Sequence, residues 1–137
     1  DDIIKEYPDI KLITEQHVPA EQPINDAQEI TANLLTANPD KDSITAVFAA
    51  WDEPAIGAAK ALEEAGRTEV IVTGVDGNEQ AVQMIKDGSC LKATVKQNFE
   101  GMADIVCRQM EKYYAGETIE KGEMYAPAEL ITQENAQ

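Results

Sequence analysis

The sequence is poor in the residues on which many enzymes and metal sites depend. It has one histidine, His17, and two cysteines, Cys90 and Cys107, among 137 residues. A structural zinc site needs four closely spaced ligands, so these three residues do not predict one. The chain also lacks a glycine-rich phosphate loop and a recognisable nucleophile and base pair. We therefore expect no enzyme activity, no metal and no cofactor.

Basic residues and long apolar runs are also scarce. Lysine and arginine number 11 against 26 aspartates and glutamates, which gives a net charge of −15. A surface that binds nucleic acid needs positive charge against the phosphates, so we expect no nucleic-acid partner. No apolar run approaches the ~20 residues of a transmembrane helix. The hydrophobic content of 43% is sufficient for one domain with a buried core.

The two cysteines are not expected to form a disulfide, although that alternative stays open. Cys90 precedes a predicted strand and Cys107 lies inside the helix that follows it. The rise per residue of a strand and of a helix leaves the two positions out of register. Two reduced, buried thiols are the expectation.

The beginning of the chain suggests that residues precede it. The sequence does not start with methionine, and residues 1–8 look like the last turns of a helix before a proline. We expect the chain to be part of a longer protein.

Residues 44–77 form the centre of the pattern. An apolar run at 46–50 predicts a strand, a helix begins at Asp52 and stops at Gly66, and a second apolar run at 70–72 predicts another strand. This is a βαβ unit, in which parallel strands place their carboxyl ends at one edge of the sheet. Trp51 and Asp76 should therefore share that edge.

The rest of the chain continues the alternation. We predict strands at 11–15 and 91–97, helices from 25 or 26 to 37, at 78–86 and at 99–114, and an extended segment at 124–132. The predicted fold is an α/β sandwich, a mainly parallel β-sheet flanked by helices.

Ligands of such sheets collect at the carboxyl ends of the strands. This rule selects Gln16 or His17, and Trp51, Asp76 and Gln97. An aromatic ring stacks on C–H faces, while a carboxylate and an amide pair with hydroxyl groups. The set predicts a site for a polyhydroxylated ligand.

Each of these residues also has an ordinary structural interpretation. Trp51 is a core aromatic in that alternative, Asp76 is a turn residue beside Gly77, and Gln97 is a surface amide.

Asp52 and Glu53 are adjacent carboxylates and raise the alternative of general acid and base chemistry. Adjacent residues at a helix start point in different directions, so we favour Asp52 as the helix cap and Glu53 as a favourable charge at the helix dipole.

Four segments carry a family resemblance: 33–40 (NLLTANPD), 46–62 (AVFAAWDEPAIGAAKAL), 72–77 (VTGVDG) and 93–97 (ATVKQ). In order and spacing they resemble the C-terminal half of the type I solute-binding proteins, the ribose- and galactose-binding proteins that deliver sugars to ABC transporters. The resemblance covers nearly the whole chain.

The resemblance implies a two-lobed protein that closes on a monosaccharide or related polyol and is then recognised by the permease subunits of an ABC transporter. It implies an extracytoplasmic location, in the periplasm or as a cell-surface lipoprotein. Positions that contact sugar in the family correspond to Trp51, Asp76 and Gln97. A fourth, commonly aromatic, corresponds to Gln22, and Trp51 stands where the family often has asparagine.

The resemblance also implies a division of the chain. Residues 1–96 form the C-terminal lobe, and residues 97–119 form a hinge and an amphipathic helix that normally belongs to the missing N-terminal lobe. Residues 120–137 form an extended segment and tail. If the fragment stands alone, we expect this helix to fold back onto its own domain or to be exchanged with a second copy.

The same fold serves as the effector-binding domain of lactose-repressor-like transcription regulators, which is the alternative function. A signal peptide or lipobox upstream would indicate transport, and a helix-turn-helix would indicate regulation.

Overall fold

The computed structural model describes residues 2–136, in which helices and strands alternate over most of the chain. The elements are α1 (Asp2–Glu6), α2 (Pro23–Ala37), β1 (Ala46–Phe48), α3 (Asp52–Glu64), β2 (Ile71–Asp76), α4 (Glu79–Lys86), β3 (Leu91–Lys96), α5 (Phe99–Tyr114) and β4 (Glu129–Thr132).

The strands form one sheet in the order β1-β2-β3-β4. Strands β1, β2 and β3 are parallel, with Ala46 opposite Ile71, while β4 runs antiparallel to β3 with Leu130 opposite Val95. Crossovers through α3 and α4 connect the parallel strands, and the sheet is mainly parallel as predicted.

Residues 11–15 do not form the strand that the sequence predicts. They pair with no strand of the described chain, and Leu12 and Ile13 are 56% and 52% exposed. A strand persists only when a neighbour satisfies its backbone groups and covers one of its faces. The local pattern was correct for a strand, but residues 2–136 contain no partner for it.

Helices α3 and α4 pack on one face of the sheet, and α2 packs against α3. Helix α3 is rich in alanine, and this allows close packing: a Cβ at Gly57 would lie 2.2 Å from the carbonyl oxygen of Ile24 in α2. Ile56 and Leu62 of α3 are fully buried against Val72 and Leu91 of the sheet. This side of the sheet contains the hydrophobic core.

The opposite face of the sheet is open within the described chain. Ile71, Val95 and Leu130 alternate with buried residues of their strands, Phe48 follows the half-buried Val47, and all four are exposed. We call Phe48, Ile71, Val95 and Leu130 the open sheet face. Their apolar character is that of a covered sheet face, but residues 2–136 provide no cover for it.

Helix α5 begins and ends at the predicted residues, but none of its residues is buried. The segment after it returns along the helix, where Lys112 pairs with Glu120 at 3.3 Å. Tyr113 and Met110 of its apolar stripe remain more than half exposed. The sequence predicts that the helix either folds back onto its own domain or is exchanged with a second copy. In this structure the apolar stripe is not folded back onto the domain.

Both cysteines are free, but only Cys90 is buried. The expectation that Cys107 is buried is wrong, because it lies on the uncovered helix α5. None of the helices within residues 2–136 has the length and apolar character required to span a membrane.

Candidate functional site

Asp76 and Gln97 meet at the carboxyl edge of the sheet. Asp76 is the last residue of β2 and Gln97 directly follows β3. The backbone N–H of Gln97 donates to the carbonyl oxygen of Asp76 at 3.2 Å. The side-chain Nε2 of Gln97 also donates to Oδ1 of Asp76, at 2.5 Å. The two side chains that sequence reasoning selected separately therefore form one hydrogen-bonded pair.

The chain turns sharply after this pair. Asp76 has φ +126° and Gly77 has φ +75°, both in the region that side chains disfavour. A Cβ at Gly77 would also lie 2.6 Å from Cβ of Lys96, so only glycine fits there. Asn78 then caps α4, its side-chain oxygen accepting from the N–H of Ala81 at 2.8 Å. The turn holds Asp76 in a strained conformation that the surroundings must maintain.

Trp51 lies at the same edge, between β1 and α3. It occupies the N-cap position of α3 with an extended backbone, and its side chain is half-buried. The next residue, Asp52, accepts a hydrogen bond from the backbone of Asn78 at 2.8 Å, so the start of α3 adjoins the turn after Asp76. The predicted juxtaposition of Trp51 and Asp76 at one sheet edge is confirmed.

The Asp76 and Gln97 pair keeps unused hydrogen-bonding capacity. Among residues 2–136, nothing bonds to Oδ2 of Asp76 or to Oε1 of Gln97, and both side chains are partly exposed. A carboxylate oxygen accepts from hydroxyl groups, and an amide both donates and accepts. With the neighbouring indole ring, the edge offers the complementary groups for a polyhydroxylated molecule.

Asp52 has a role that sequence reasoning missed. It does not cap α3, because Trp51 is the N-cap and makes no side-chain cap bond. Instead Asp52 is fully buried, with Oδ1 accepting from the hydroxyl of Thr94 at 2.6 Å and Oδ2 accepting from the N–H of Asn78. The buried position of Thr94 in the alternating β3 pattern was the available signal for this contact.

Burial raises the pKa of Asp52 above its ordinary value, because desolvation disfavours the carboxylate. The hydrogen bonds from Thr94 and from the backbone of Asn78 and Gly77 oppose this shift, and the charge of Asp76 adds to it. The ionised carboxylate accepts both hydrogen bonds at once, so these bonds lower the pKa of Asp52 while burial raises it.

Gln22 lies apart from the other selected residues. It is exposed at the N-cap of α2 and lines a shallow depression of about 410 Å³ with Glu53, Lys60 and Gln80. Neither Trp51 nor the Asp76 and Gln97 pair lines this depression. The structure therefore places Gln22 in a neighbouring hollow.

Gln16 and His17 are exposed in a loop. Their selection depended on a strand at 11–15, which does not form within the described residues. Within residues 2–136 no group of three or more histidine, cysteine, aspartate or glutamate side chains could hold a metal ion.

Ligands of α/β proteins collect at the carboxyl edge of the parallel strands, where this chain gathers these groups. Sequence comparison then identifies the family. Residues 1–118 match the family described as the periplasmic binding protein domain, and the chain belongs to that family.

Two similar proteins are named import binding proteins. The chain is 34% identical over 136 residues to the D-apiose import binding protein of Actinobacillus succinogenes, covering 98% of this chain and 42% of that protein. It is 38% identical to the ribose import binding protein of Bacillus subtilis, covering 76% of this chain and 32% of that protein.

Solved structures of sugar-transporter proteins have the same fold. An ABC transporter solute-binding protein from Agrobacterium vitis with bound allitol superposes with a TM-score of 0.90 at 31% identity, over 98% of this chain and 47% of that one. A solute-binding protein from Actinobacillus succinogenes with bound D-allose gives 0.81 at 32% identity, over 98% and 46%. The chain spans less than half the length of these proteins.

Proposed function

We propose that this chain forms one wall of the binding cleft of a solute-binding protein that delivers a monosaccharide or polyol to an ABC transporter. The observation that carries the proposal is the hydrogen-bonded pair of Asp76 and Gln97 beside Trp51 at the carboxyl edge of the sheet. The proposed ligand residues are these three.

The chemistry of the wall supports a ligand with several hydroxyl groups. The indole of Trp51 provides an apolar face for the C–H groups of a sugar. Oδ2 of Asp76 accepts from hydroxyl groups, while the bond from Gln97 fixes the carboxylate. The proteins similar to this chain are named for D-apiose and ribose, or hold allitol or D-allose, and all of these molecules are polyhydroxylated.

In the proposed mechanism the protein captures its ligand by closure of two lobes and carries out no reaction. Residues 1–96 belong to the C-terminal lobe and supply one wall, and a second lobe supplies the other. Only the closed state offers both walls, so the ligand stabilises that state. The permease subunits of the transporter would then recognise the closed form.

The exposed stripe of α5 supports the proposed division of the chain. Phe99 and Tyr113 are 61% and 65% exposed on a helix whose apolar side has no cover in residues 2–136. We assign residues 97–119 to a hinge and a helix of the second lobe, and residues 120–137 to an extended segment and tail, of which β4 pairs with β3.

If residues 1–137 stand alone, exchange of α5 with a second copy is the remaining way to cover the stripe. Light scattering of this chain tests the swap of α5 between two copies. A dimer supports it. A monomer in which the backbone amides of α5 show unprotected hydrogen exchange contradicts it.

The proposed location is outside the cytoplasm, in the periplasm or as a cell-surface lipoprotein, in agreement with relatives that are named import binding proteins. A signal peptide or lipobox in the upstream sequence would support it. A helix-turn-helix there would instead indicate the effector domain of a transcription regulator.

Isothermal titration of the full-length protein tests the function. The panel is D-ribose, D-apiose, D-allose, allitol, myo-inositol and D-fucose, with sodium chloride as a heat-of-dilution control. We expect saturable heat with at least one compound. An absence of heat with every compound would contradict the proposal.

Replacing Trp51 by alanine tests the wall. We expect binding to weaken by roughly 1 to 3 kcal/mol, because a stacked ring is lost from a buried contact. Trp51→Phe keeps an aromatic face and should lose less. Glu53→Gln is the matched control, since Glu53 lines the neighbouring depression, and unchanged affinity in Trp51→Ala would remove the ring from the site.

A further inference from the structure

A buried pair of polar side chains lies beneath the proposed wall. Asp52 and Thr94 are both fully buried, and Oδ1 of Asp52 accepts from the Thr94 hydroxyl at 2.6 Å. Oδ2 of Asp52 accepts from the N–H of Asn78 at 2.8 Å, and the Thr94 oxygen accepts from the N–H of Gly77 at 3.2 Å. Together the two side chains hold two consecutive backbone amides of the turn after Asp76.

The amides that they hold belong to the turn that requires support. Asp76 has φ +126°, which is an unfavourable conformation for any residue other than glycine. Such a conformation persists only where surrounding contacts determine it. The bonds to Gly77 and Asn78 are the contacts that fix the chain immediately after Asp76, so they also set where its carboxylate lies.

The sheet is shaped to admit Asp52. Gly74 of β2 pairs with Thr94 of β3, and a Cβ at Gly74 would lie 2.4 Å from Oδ1 of Asp52. Glycine at this position allows the carboxylate to approach the strand closely enough to reach both Thr94 and Asn78. Asp52 therefore connects the start of α3 to β3 and to the turn before α4.

We propose that Asp52, acting with Thr94, is the positioning residue of the ligand wall: it holds the turn at 76–78 so that the Asp76 carboxylate meets Gln97. This inference rests on the proposed function, in which Asp76 and Gln97 contact the ligand. Asp52 does not itself contact the ligand, because its side chain is fully buried. Capping of α3 does not account for Asp52, because its carboxylate bonds to β3 and to the turn before α4.

The test is Asp52→Asn in the full-length protein, with Glu53→Gln as the matched control. Asparagine keeps the shape but has a single acceptor oxygen, so it cannot accept from the Thr94 hydroxyl and from the Asn78 N–H at the same time. Glu53→Gln removes one negative charge from the adjacent residue and leaves the turn bonds in place.

The first readout is amide hydrogen exchange, which needs no ligand. In Asp52→Asn we expect the amides of Gly77 and Asn78 to exchange at least about tenfold faster through local opening. The amide of Val72, bonded to Cys90 within the sheet at 2.9 Å, should be unchanged. Unchanged exchange at Gly77 and Asn78, or an equal increase at Val72, would overturn the positioning role.

The second readout is the affinity for D-allose, with allitol as a second probe. Asp52→Asn should weaken binding by about tenfold or more, and Glu53→Gln should not. If the unaltered protein binds neither compound nor any other of the panel, the proposed function fails while the exchange experiment still decides the positioning role. Faster exchange at the turn with unchanged affinity would overturn the link between the turn and the wall.

Thr94 provides an independent pair of variants should Asp52→Asn fail to fold. Thr94→Val removes the hydroxyl and keeps the shape, whereas Thr94→Ser keeps the hydroxyl. We expect Thr94→Val to accelerate exchange at Gly77 and Thr94→Ser to preserve it. Equal behaviour of the two variants would contradict the proposal.

Discussion

Helices α3 and α5 both carry an apolar face, but only α3 is covered within the described chain. Nine of the thirteen residues of α3 are buried, and none of the sixteen residues of α5 is. The same contrast divides the sheet into the face packed under α3 and the open sheet face. An amphipathic pattern therefore identifies a helix and its apolar side, but coverage depends on which other elements are present.

The largest expected effect comes from a comparison of two isoleucines, one on each face of the sheet. Ile56 of α3 is fully buried, whereas Ile71 on the open sheet face is 48% exposed. We expect Ile56→Ala to lower the free energy of unfolding by about 2–5 kcal/mol, because it leaves a cavity in the core. Ile71→Ala should cost less than about 1 kcal/mol. Urea denaturation of the chain measures both.

The same pair sharpens the comparison in the full-length protein. If residues outside this chain cover the open sheet face, Ile71→Ala will cost more there than in residues 1–137. If Ile56→Ala and Ile71→Ala lower the free energy of unfolding of residues 1–137 equally, the two faces of the sheet do not differ in burial.

The next test compares two arginines. Arg67 follows α3, is 12% exposed at its side chain, and donates to the carbonyl oxygens of Lys41 and Ile44 at 2.5 and 3.2 Å. We expect Arg67→Gln to cost roughly 1–3 kcal/mol, since these carbonyl groups lose charged donors. Arg108 of α5 pairs with Asp104 in the open at 3.4 Å, so Arg108→Gln should leave the denaturation midpoint unchanged.

A third test concerns the pH dependence of stability. Burial raises the pKa of Asp52, so the folded state binds its proton more readily than the unfolded state does. Its contribution to stability is therefore complete below the unfolded pKa, near pH 4, and is lost as the pH rises through the folded pKa. Asp52→Asn should remove this part of the pH profile.

The measurement is the free energy of unfolding from pH 3.5 to 7 by chemical denaturation, with Asp104→Asn on α5 as the control for the loss of one carboxylate. A wild-type minus Asp52→Asn difference that rises with pH would contradict the assigned direction of the pKa shift.

The last test, with the smallest expected effect on stability, is chemical modification of the two thiols. Cys107 on α5 is exposed, while Cys90 is buried and burial raises its pKa. A thiol reagent at neutral pH should modify Cys107 quickly and Cys90 only after unfolding. Mass spectrometry with and without urea distinguishes the two, and equal rates in the folded protein would contradict the difference in burial.

Much of the fold followed from local pattern. The bounds of α5 matched the prediction, α4 begins one residue later than predicted with Asn78 as its cap, and Gly66 with φ +68° ends the helical region after α3. Caps, glycines and apolar spacing act over a few residues, so a sequence reading captures them. The strand at 11–15 failed because pairing depends on a partner that local pattern does not specify.

Local rules likewise predicted one part of the candidate site and missed another. The strand-end rule brought Trp51, Asp76 and Gln97 together, since the ends of parallel strands meet at one edge. Gln22 came from the resemblance, and the structure places it in a separate depression. The buried bonds of Asp52 to Thr94 and Asn78 join residues 42 and 26 positions apart, a separation that no local rule evaluates.

Apart from the strand at 11–15, the sequence by itself determined the order of helices and strands, the apolar sides, and the three groups at the carboxyl edge. These follow from periodicity, turn chemistry and the geometry of parallel crossovers, which are properties of short segments. The tertiary structure alone decided which apolar faces are covered and that Asp52 supports the strained turn at Asp76. Both depend on burial and on contacts between distant segments. The free energy of folding at these places comes from apolar surface removed from water and from hydrogen bonds formed between separate elements.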